Sequence, residues 1–404
     1  MDTIDSIDSF AVSGSAVGEG QRLYQEPAPF VVDTAEHRFS FHPAGKDRFA
    51  TLLELIDSAQ DTLKLFYYMF QDDFAGQQVR KALIGAAERG VDVYLIVDAF
   101  GTDAGKSFFK PIVKAGGRFE MFEPRFGARY FIRNHQKMAI ADDERVMAGG
   151  FNISDNYFKP PEENGWNDLG VLIEGPIVQR FCDWFDRLDQ WVSNPGSQYR
   201  LIRAMLREWD HGDGPVQLLM GGPTHITSDW AREVKKDLAH GERLDLVMAY
   251  FSPPRSIRRL IRRIAERGKA RLVMAGLSDN NATIGASRAL YRGLLDSNAQ
   301  IVEFQPSKLH CKLIVVDDVT YFGSANFDLR SLRLNLEIMV RVEDADLAEK
   351  MRGLIDHMEE ASEPITDEWY AKRASWFNRF RWRLGWFMVS VADYTVTRRL
   401  NIGL

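Results

Sequence analysis

"IGAAERGVDVYLIVD" (Ile84–Asp98) is written a second time as "IRRIAERGKARLVMA" (Ile261–Ala275). Each phrase reads as the last turns of a helix, an Arg-Gly stop in which glycine suits a left-handed cap, and an apolar strand. Further matches follow outward in the same order. Upstream lie the buried-looking strands "TLKLFYYMF" (62–70) and "RLDLVMAYF" (243–251), and before them "FSFHPAGKDRFATLLELI" (39–56) and, more loosely, "VQLLMGGPTHITSDWARE" (216–233). Downstream lie "GRFEMFEP" (117–124) and "AQIVEFQP" (299–306). An ordered string of matches is the signature of an internal duplication. Each half reads strand–helix–strand–helix–strand and then one more strand, which predicts two pseudo-symmetric α/β repeats, each a largely parallel sheet flanked by helices. The expected boundaries are a loosely ordered segment over 1–37, a first repeat over 38–210, a second over 215–365 and a separate segment over 366–404. The structure-breaking "REWDHGDGP" (207–215) is read as the link.

The chain has 404 residues, of which 45% are hydrophobic, enough for a sizeable core in each half. Its net charge of −6 disfavours a non-specific nucleic-acid binder. Cys182 and Cys311 are far apart and lie in no CxxC pair, so neither a zinc site nor a disulfide framework is indicated, and a reducing compartment fits. The histidines show no HExxH spacing. The acidic, Gly/Ser-rich opening "MDTIDSIDSFAVSGSAVGEG" lacks the features of a secretory signal, and no apolar run is long enough to span a bilayer.

The strand that closes each half carries the chemistry. "NHQKMAIADDERVMAGGFN" (134–152) contains His135-x-Lys137-x4-Asp142, and "LHCKLIVVDDVTYFGSAN" (309–326) contains His310-x-Lys312-x4-Asp317. Side chains of a strand alternate faces, so His310 and Lys312 share one side while Cys311 turns to the other as a core residue. Asp142 and Asp317 fall near the strand ends, where a carboxylate can be bonded in a turn. A glycine and an asparagine follow each motif: Gly149 and Asn152, then Gly323 and Asn326. Small residues let backbone approach a ligand, and Asn side chains can donate to phosphate oxygens. Each half also places an acid in an apolar strand, Asp168 in "WNDLGVLIE" and Glu337 in "LNLEIMVRV", where it needs a partner such as a His Nδ1–H.

These features resemble the phospholipase D superfamily, whose signature is a paired HxKxxxxD. "NHQK…D…GGFNI", "YFSPP", "LHCK" and "GSANFDLRSLRLNLE" are similar to the bacterial cardiolipin synthases within it, and the resemblance covers roughly residues 38 to 365. Two departures stand out. Gly150 occupies a position where the superfamily usually has Ser, and the segment between motif acid and glycine is one residue shorter in the second half. The resemblance implies an active site where the repeats meet, with His135, Lys137, Asp142, His310, Lys312 and Asp317 as catalytic residues. Asn152, Asn326 and Ser324 are expected on the substrate phosphate, and Asp168 and Glu337 as orienting partners of the histidines. It further implies that His135 is the nucleophile and His310 the general acid and base, and that two phosphatidylglycerols yield cardiolipin and glycerol. Hydrolytic phospholipase D action, or nuclease action on the same motifs, stays open at this point.

Residues 371–404 carry Lys372, Arg373, Arg379, Arg381, Arg383, Arg398 and Arg399 against Asp393 alone, interleaved with Trp376, Phe377, Phe380, Trp382, Trp386, Phe387 and Met388. Basic groups near an anionic surface contribute about 1 kcal/mol each, and such aromatics favour the interface. An anionic membrane surface is therefore an expected partner, no nucleic acid is expected, and the resemblance implies phosphatidylglycerol and other anionic phospholipids as the lipids bound. The expected location is the cytoplasmic face of the bacterial inner membrane, held peripherally. Two lysines supply the charge that a phosphodiester demands, so no metal or cofactor is expected. Exhaustive chelation should leave activity nearly intact, and recovery only on return of one particular metal would overturn that expectation.

Overall fold

In the computed structural model, which describes residues 24–123, 133–194, 199–224, 227–278 and 280–389, the two repeated phrases form one unit twice over. Helix Phe74–Glu88 is capped at its start by the Asp73 carboxylate, which accepts from Gly76 N. It stops at Arg89 and Gly90, whose φ of +95° is strained for any residue with a Cβ, and strand Asp92–Asp98 begins at once. In the second half, helix Arg255–Arg267 stops at Gly268 and strand Lys269–Ala275 follows.

Two eight-stranded sheets result. The first runs Phe30–Thr34, His37–His42, Gly170–Glu174, Arg145–Gly149, Lys137–Ala141, Thr62–Tyr67, Asp92–Asp98, Arg118–Phe122. The second runs Val216–Gly221, Glu337–Glu343, Val319–Gly323, Lys312–Val316, Arg243–Met248, Lys269–Ala275, Gln300–Phe304, Ser362–Pro364. From His37–His42 onward the first sheet matches the second strand for strand. Each also has one extra edge strand, on opposite edges.

The sheets are mixed rather than largely parallel. In the first, parallel pairing is confined to Thr62–Tyr67, Asp92–Asp98 and Arg118–Phe122, and in the second to the three strands that match them. The motif strand pairs antiparallel with both neighbours, and with the strand that follows it this is forced, because the hairpin turn is too short for the crossover that parallel strands need. That turn absorbs the one-residue difference between halves. It spans 142–144 in the first half, where Ala141 faces Arg145, and 317–318 in the second, where Val316 faces Val319.

The boundaries also need adjustment. Residues 24–37, assigned above to a loose segment, hold buried Tyr24 and the edge strand Phe30–Thr34. The link is not slack: Trp209 is buried, donates from Nε1 to Leu218 O at 2.8 Å, and meets Trp184 edge-on. Beyond the second repeat, helices Asp367–Arg373 and Trp376–Phe387 pack on helix Asn281–Leu295 through Arg292–Asp367 and Trp382–Gly285 contacts. Residues 390–404 lie outside the described residues, and with them Asp393, Arg398 and Arg399.

Three cores hold these layers. Each sheet has an outer core under its own helices. The inner core is shared: Phe322 of the second sheet meets Phe39 and Phe41 of the first edge-on, at 5.9 and 5.5 Å. Helices Ile177–Ser193 and Ala345–Glu360 complete it. Neither half can cover its inner face alone. Residues 24–207 prepared without the second half are expected to bind a hydrophobic dye and to lack a cooperative thermal transition. Cooperative unfolding of that fragment would show that the cores are independent.

Candidate active site

Each motif strand begins at its lysine, Lys137 or Lys312, and each histidine lies just before it, where the two halves meet. The backbone makes the first link between halves. His135 N donates to Leu336 O at 2.8 Å, and His310 N to Asn167 O at 2.7 Å. Those acceptors immediately precede Glu337 and Asp168. The side chains then cross in the same sense. His135 Nδ1 lies 3.1 Å from Glu337 Oε2, and His310 Nδ1 lies 2.7 Å from Asp168 Oδ2. Each histidine of one half is thus held by the acid of the other. With Nδ1–H donated to a carboxylate, Nε2 is the ring nitrogen that remains for another partner.

The acids are themselves fixed. Glu337 is fully buried and accepts from Ser324 Oγ at 2.6 Å, Ser331 Oγ at 2.8 Å and Asn335 Nδ2 at 3.4 Å. Asp168 accepts from Leu169 N at 2.8 Å. Gly150 matches Ser324, and a Cβ there would come within 2.5 Å of Asp168 Oδ1. The first half therefore has no room for the serine that the second half uses.

Both lysines are buried and donate to backbone carbonyls of their own motifs, Lys137 to His135 O and Lys312 to His310 O. Lys312 Nζ also lies 2.8 Å from His310 Nδ1. Burial, and then Lys137, bring the His135 imidazole down to about 4 against the pull of Glu337. Burial and Lys312 do the same to His310, also to about 4, against Asp168. Burial drives Lys137 well below its ordinary value, with Glu337 opposing and Lys312 adding to the fall. Burial alone would raise both acids, but His135 holds Glu337 and His310 holds Asp168 below the usual carboxylate range. At neutral pH the imidazoles are thus neutral beside ionised Glu337 and Asp168, and burial disfavours the charged form of Lys137.

The other residues named from sequence fall in different places. Asn152 is tied at both ends, its Oδ1 accepting from Met69 N at 3.1 Å and its Nδ2 donating to Tyr157 Oη at 2.8 Å. Asn326 is buried with Oδ1 unpartnered. Ser324, expected on the phosphate, instead commits its hydroxyl to Glu337. Asp142 and Asp317, expected among the catalytic residues, lie at the far ends of the motif strands with φ of +55° and +48°. Asp142 accepts from Gln60, Asp61 and Thr62 N, and Asp317 from Glu242 and Arg243 N. Burial would raise Asp142, but those backbone donors hold it below the usual range. These aspartates bind the motif hairpin to the neighbouring strand and do not reach the histidines.

Several residues at the site escaped the sequence reading. Arg48 is fully buried and donates to the carbonyls of Pro43, Asp168 (2.5 Å), Tyr157 (2.8 Å) and Trp166 (3.2 Å), fixing the backbone behind the acid that holds His310. Its signal was there: Arg48 lies in the apolar stripe of its helix with Leu52, Leu55 and Ile56. Tyr157 and Trp166 flank the His310 ring, and Tyr68 flanks His135. Asp98 accepts from Asn134 N at 2.8 Å, next to His135, and burial pushes its carboxyl up to about 7 against its backbone donors.

A family model described as "Cardiolipin synthase, PLD-like domain" matches residues 52–189 and 235–359. Among curated proteins, a cardiolipin synthase of Listeria monocytogenes serotype 4a (strain HCC23) is 29% identical over 357 residues, covering 85% of this chain and 73% of that protein. The major cardiolipin synthase ClsA of Bacillus subtilis (strain 168) is 30% identical over 349 residues, covering 82% and 71%. Among solved structures, a phosphatidylserine synthase of Haemophilus influenzae Rd KW20 shares the fold, with a TM-score of 0.70 over 89% of this chain and 94% of that one, at 14% identity.

The two kinds of motif acid should separate on mutation. Glu337→Gln is expected to lower kcat by roughly 10²- to 10⁴-fold, as loss of an orienting carboxylate does in other histidine sites. Asp142→Asn should lower stability in denaturant by about 1–3 kcal/mol with kcat little changed. A large kcat loss in Asp142→Asn with unchanged stability would return that residue to the chemistry.

Proposed function

The chain belongs to the cardiolipin synthase, PLD-like domain family, and from that premise we propose that it works through a covalent phosphatidyl-histidine at His135. It is a phosphatidyltransferase of the cardiolipin-synthase type. The observation that carries the mechanism is the crossed pair of imidazoles, each with Nδ1 on a buried carboxylate of the opposite half.

In this reading the phosphodiester of a phosphatidylglycerol enters between Lys137 and Lys312, which neutralise its non-bridging oxygens. His135 Nε2 attacks phosphorus. The bond from phosphorus to the glycerol headgroup oxygen breaks, and His310 Nε2–H protonates that oxygen as glycerol leaves. His310 then takes the proton of a glycerol hydroxyl on a second phosphatidylglycerol. That oxygen attacks phosphorus, His135 is released, and cardiolipin is formed. Asp168 and Glu337 stabilise whichever ring is cationic. Asn152 and Asn326 would donate to the phosphate from Nδ2, and Asn152 Nδ2 carries a second hydrogen beyond the one it gives to Tyr157 Oη. Assignment of attack to His135 rests on the family resemblance. The shorter carboxylate contact of His310 suits the ring that must carry and return a proton.

Both substrates reside in an anionic bilayer, so the enzyme is proposed to act peripherally at a membrane, on its cytoplasmic face, where the free Cys182 and Cys311 stay reduced. Among the described residues no helix is long and apolar enough to cross a membrane.

Incubation with labelled phosphatidylglycerol in mixed micelles tests the reaction. Cardiolipin and glycerol are expected, and phosphatidic acid as the main product would mean hydrolysis. His135→Ala should abolish both transfer and the trapped adduct, whereas His310→Ala should still trap an adduct from a substrate with a good leaving group. The reverse pattern would exchange the two roles. A proton must also arrive with the substrate. Burial and Lys312 bring His310 down to about 4, so it is neutral at pH 6.5, and an anion cancelling the lysine charge raises it. Binding of a soluble phosphodiester at pH 6.5 should therefore take up a proton, read by calorimetry in buffers of different ionisation enthalpy. Uptake should be lost in His310→Gln, and binding without uptake in the unaltered protein would remove His310 as the acid.

A further inference from the structure

Among the described residues, helix Trp376–Phe387 is docked by one face and exposed on the opposite one. Trp382 is buried against Gly285 and stacks obliquely on Tyr370, and Gly385 lies against the backbone of Ala282 and Ala286. At 3.6 residues per turn the other side brings Trp376, Phe377, Phe380, Leu384, Phe387 and Met388 into one sector of about 120°. All six are exposed, from 49% for Leu384 and Phe387 to 81% for Trp376. Arg381 borders this sector on one side, and Arg379 and Arg383 border it on the other. All three are exposed.

The helix also has a direction relative to the site. Lys312 pairs with Met248, and the strand ending at Ala275 is parallel to the one ending at Met248. The chain leaves Ala275 at this catalytic end of the sheet and enters helix Asn281–Leu295 there. Asp367 pairs with Arg292 near that helix's far end, and Gly385 contacts its first turn. Trp376–Phe387 therefore runs back toward the catalytic end. Ser287 Oγ, one turn on, donates to Phe251 O, and Phe251 pairs with Phe327, the neighbour of Asn326. Phe100 and Leu277 occupy matching loops at the catalytic ends of the two sheets and are also exposed, at 48% and 44%.

We propose that the exposed face of helix Trp376–Phe387 inserts into the interfacial region of an anionic bilayer and brings the lipid surface to the catalytic end of the molecule. Water leaves a continuous aromatic and aliphatic face, while the bordering arginines extend to anionic headgroups and keep their charge hydrated. The charge argument selects a lipid surface over another copy of the chain, because two such faces brought together would oppose their own arginines. The inference deepens the functional reading above and rests on it for the composition of the surface.

The test uses the full chain and two triple variants that leave Trp382 and Gly385 in place: Phe380→Ser/Leu384→Ser/Phe387→Ser and Arg379→Gln/Arg381→Gln/Arg383→Gln. Partition onto phosphatidylcholine vesicles with and without phosphatidylglycerol is measured by co-sedimentation, in a His135→Ala background so that no lipid is consumed. The apolar variant should lose at least about tenfold in partition on the mixed vesicles. The arginine variant should lose most of the preference for phosphatidylglycerol, as raised salt does to the parent. With His135 intact, both variants should keep activity on a short-chain soluble phosphodiester while losing it on vesicles. Unchanged partition in the apolar variant overturns the proposal. So does a parent that is dimeric in size-exclusion chromatography and turns monomeric in that variant with vesicle binding intact, since the face would then join two copies. If the partition pattern is as expected but no cardiolipin forms, the membrane face stands and the reaction assigned above fails.

Discussion

The crossed clasp between the halves is the constraint on which the rest of the molecule depends. Each motif histidine is pinned by its backbone N–H to the residue before the acid that holds its ring, and that acid belongs to the other half. Neither half contains a complete imidazole–carboxylate pair. The shared core of Phe39, Phe41, Phe322 and Trp184 is therefore also what sets the catalytic geometry. Gln136 joins the two functions. It lies between His135 and Lys137, accepts from Trp184 Nε1 at 2.7 Å and donates to Glu337 O at 3.2 Å.

Burying so much charge is costly unless a counter-charge arrives. The lysines rest on carbonyls of their own motifs and the imidazoles are neutral at neutral pH. The anionic substrate proposed above would bring negative charge to the buried lysines. Arg48 fits the same logic on the first-half side. Its guanidinium is consumed by backbone carbonyls, so it contributes order behind Asp168.

Duplication gave two similar halves, and their small differences carry physical consequences. Ser324 supports Glu337, whereas Gly150 leaves space for the shorter Asp168. The motif hairpin turn differs by one residue, yet strand register is kept and Asn326 follows its strand much as Asn152 does. Among the described residues, the basic aromatic helix finds its seat on helix Asn281–Leu295 of the second half.

Much was readable without coordinates. The repeat, the order of its elements, the paired motifs and the two acids follow from periodicity and spacing, because local alternation places His and Lys on one face wherever the strand ends up. The antiparallel half of each sheet was less legible. A buried strand reads the same in either direction, and only the hairpin turns decide. Asp142 and Asp317 looked catalytic because they share a motif with the histidines, but a strand of five residues separates them by its own length. Sequence similarity between halves is symmetric, so it identified Asp168 and Glu337 without saying which histidine each would hold. That choice belongs to packing across the interface, as do the roles of Arg48, Tyr157 and Trp166, whose contacts are made between segments far apart in the chain. What the sequence determined by itself was the set of chemical groups and the fold of each half. Which groups meet was decided only when the two halves buried their common face.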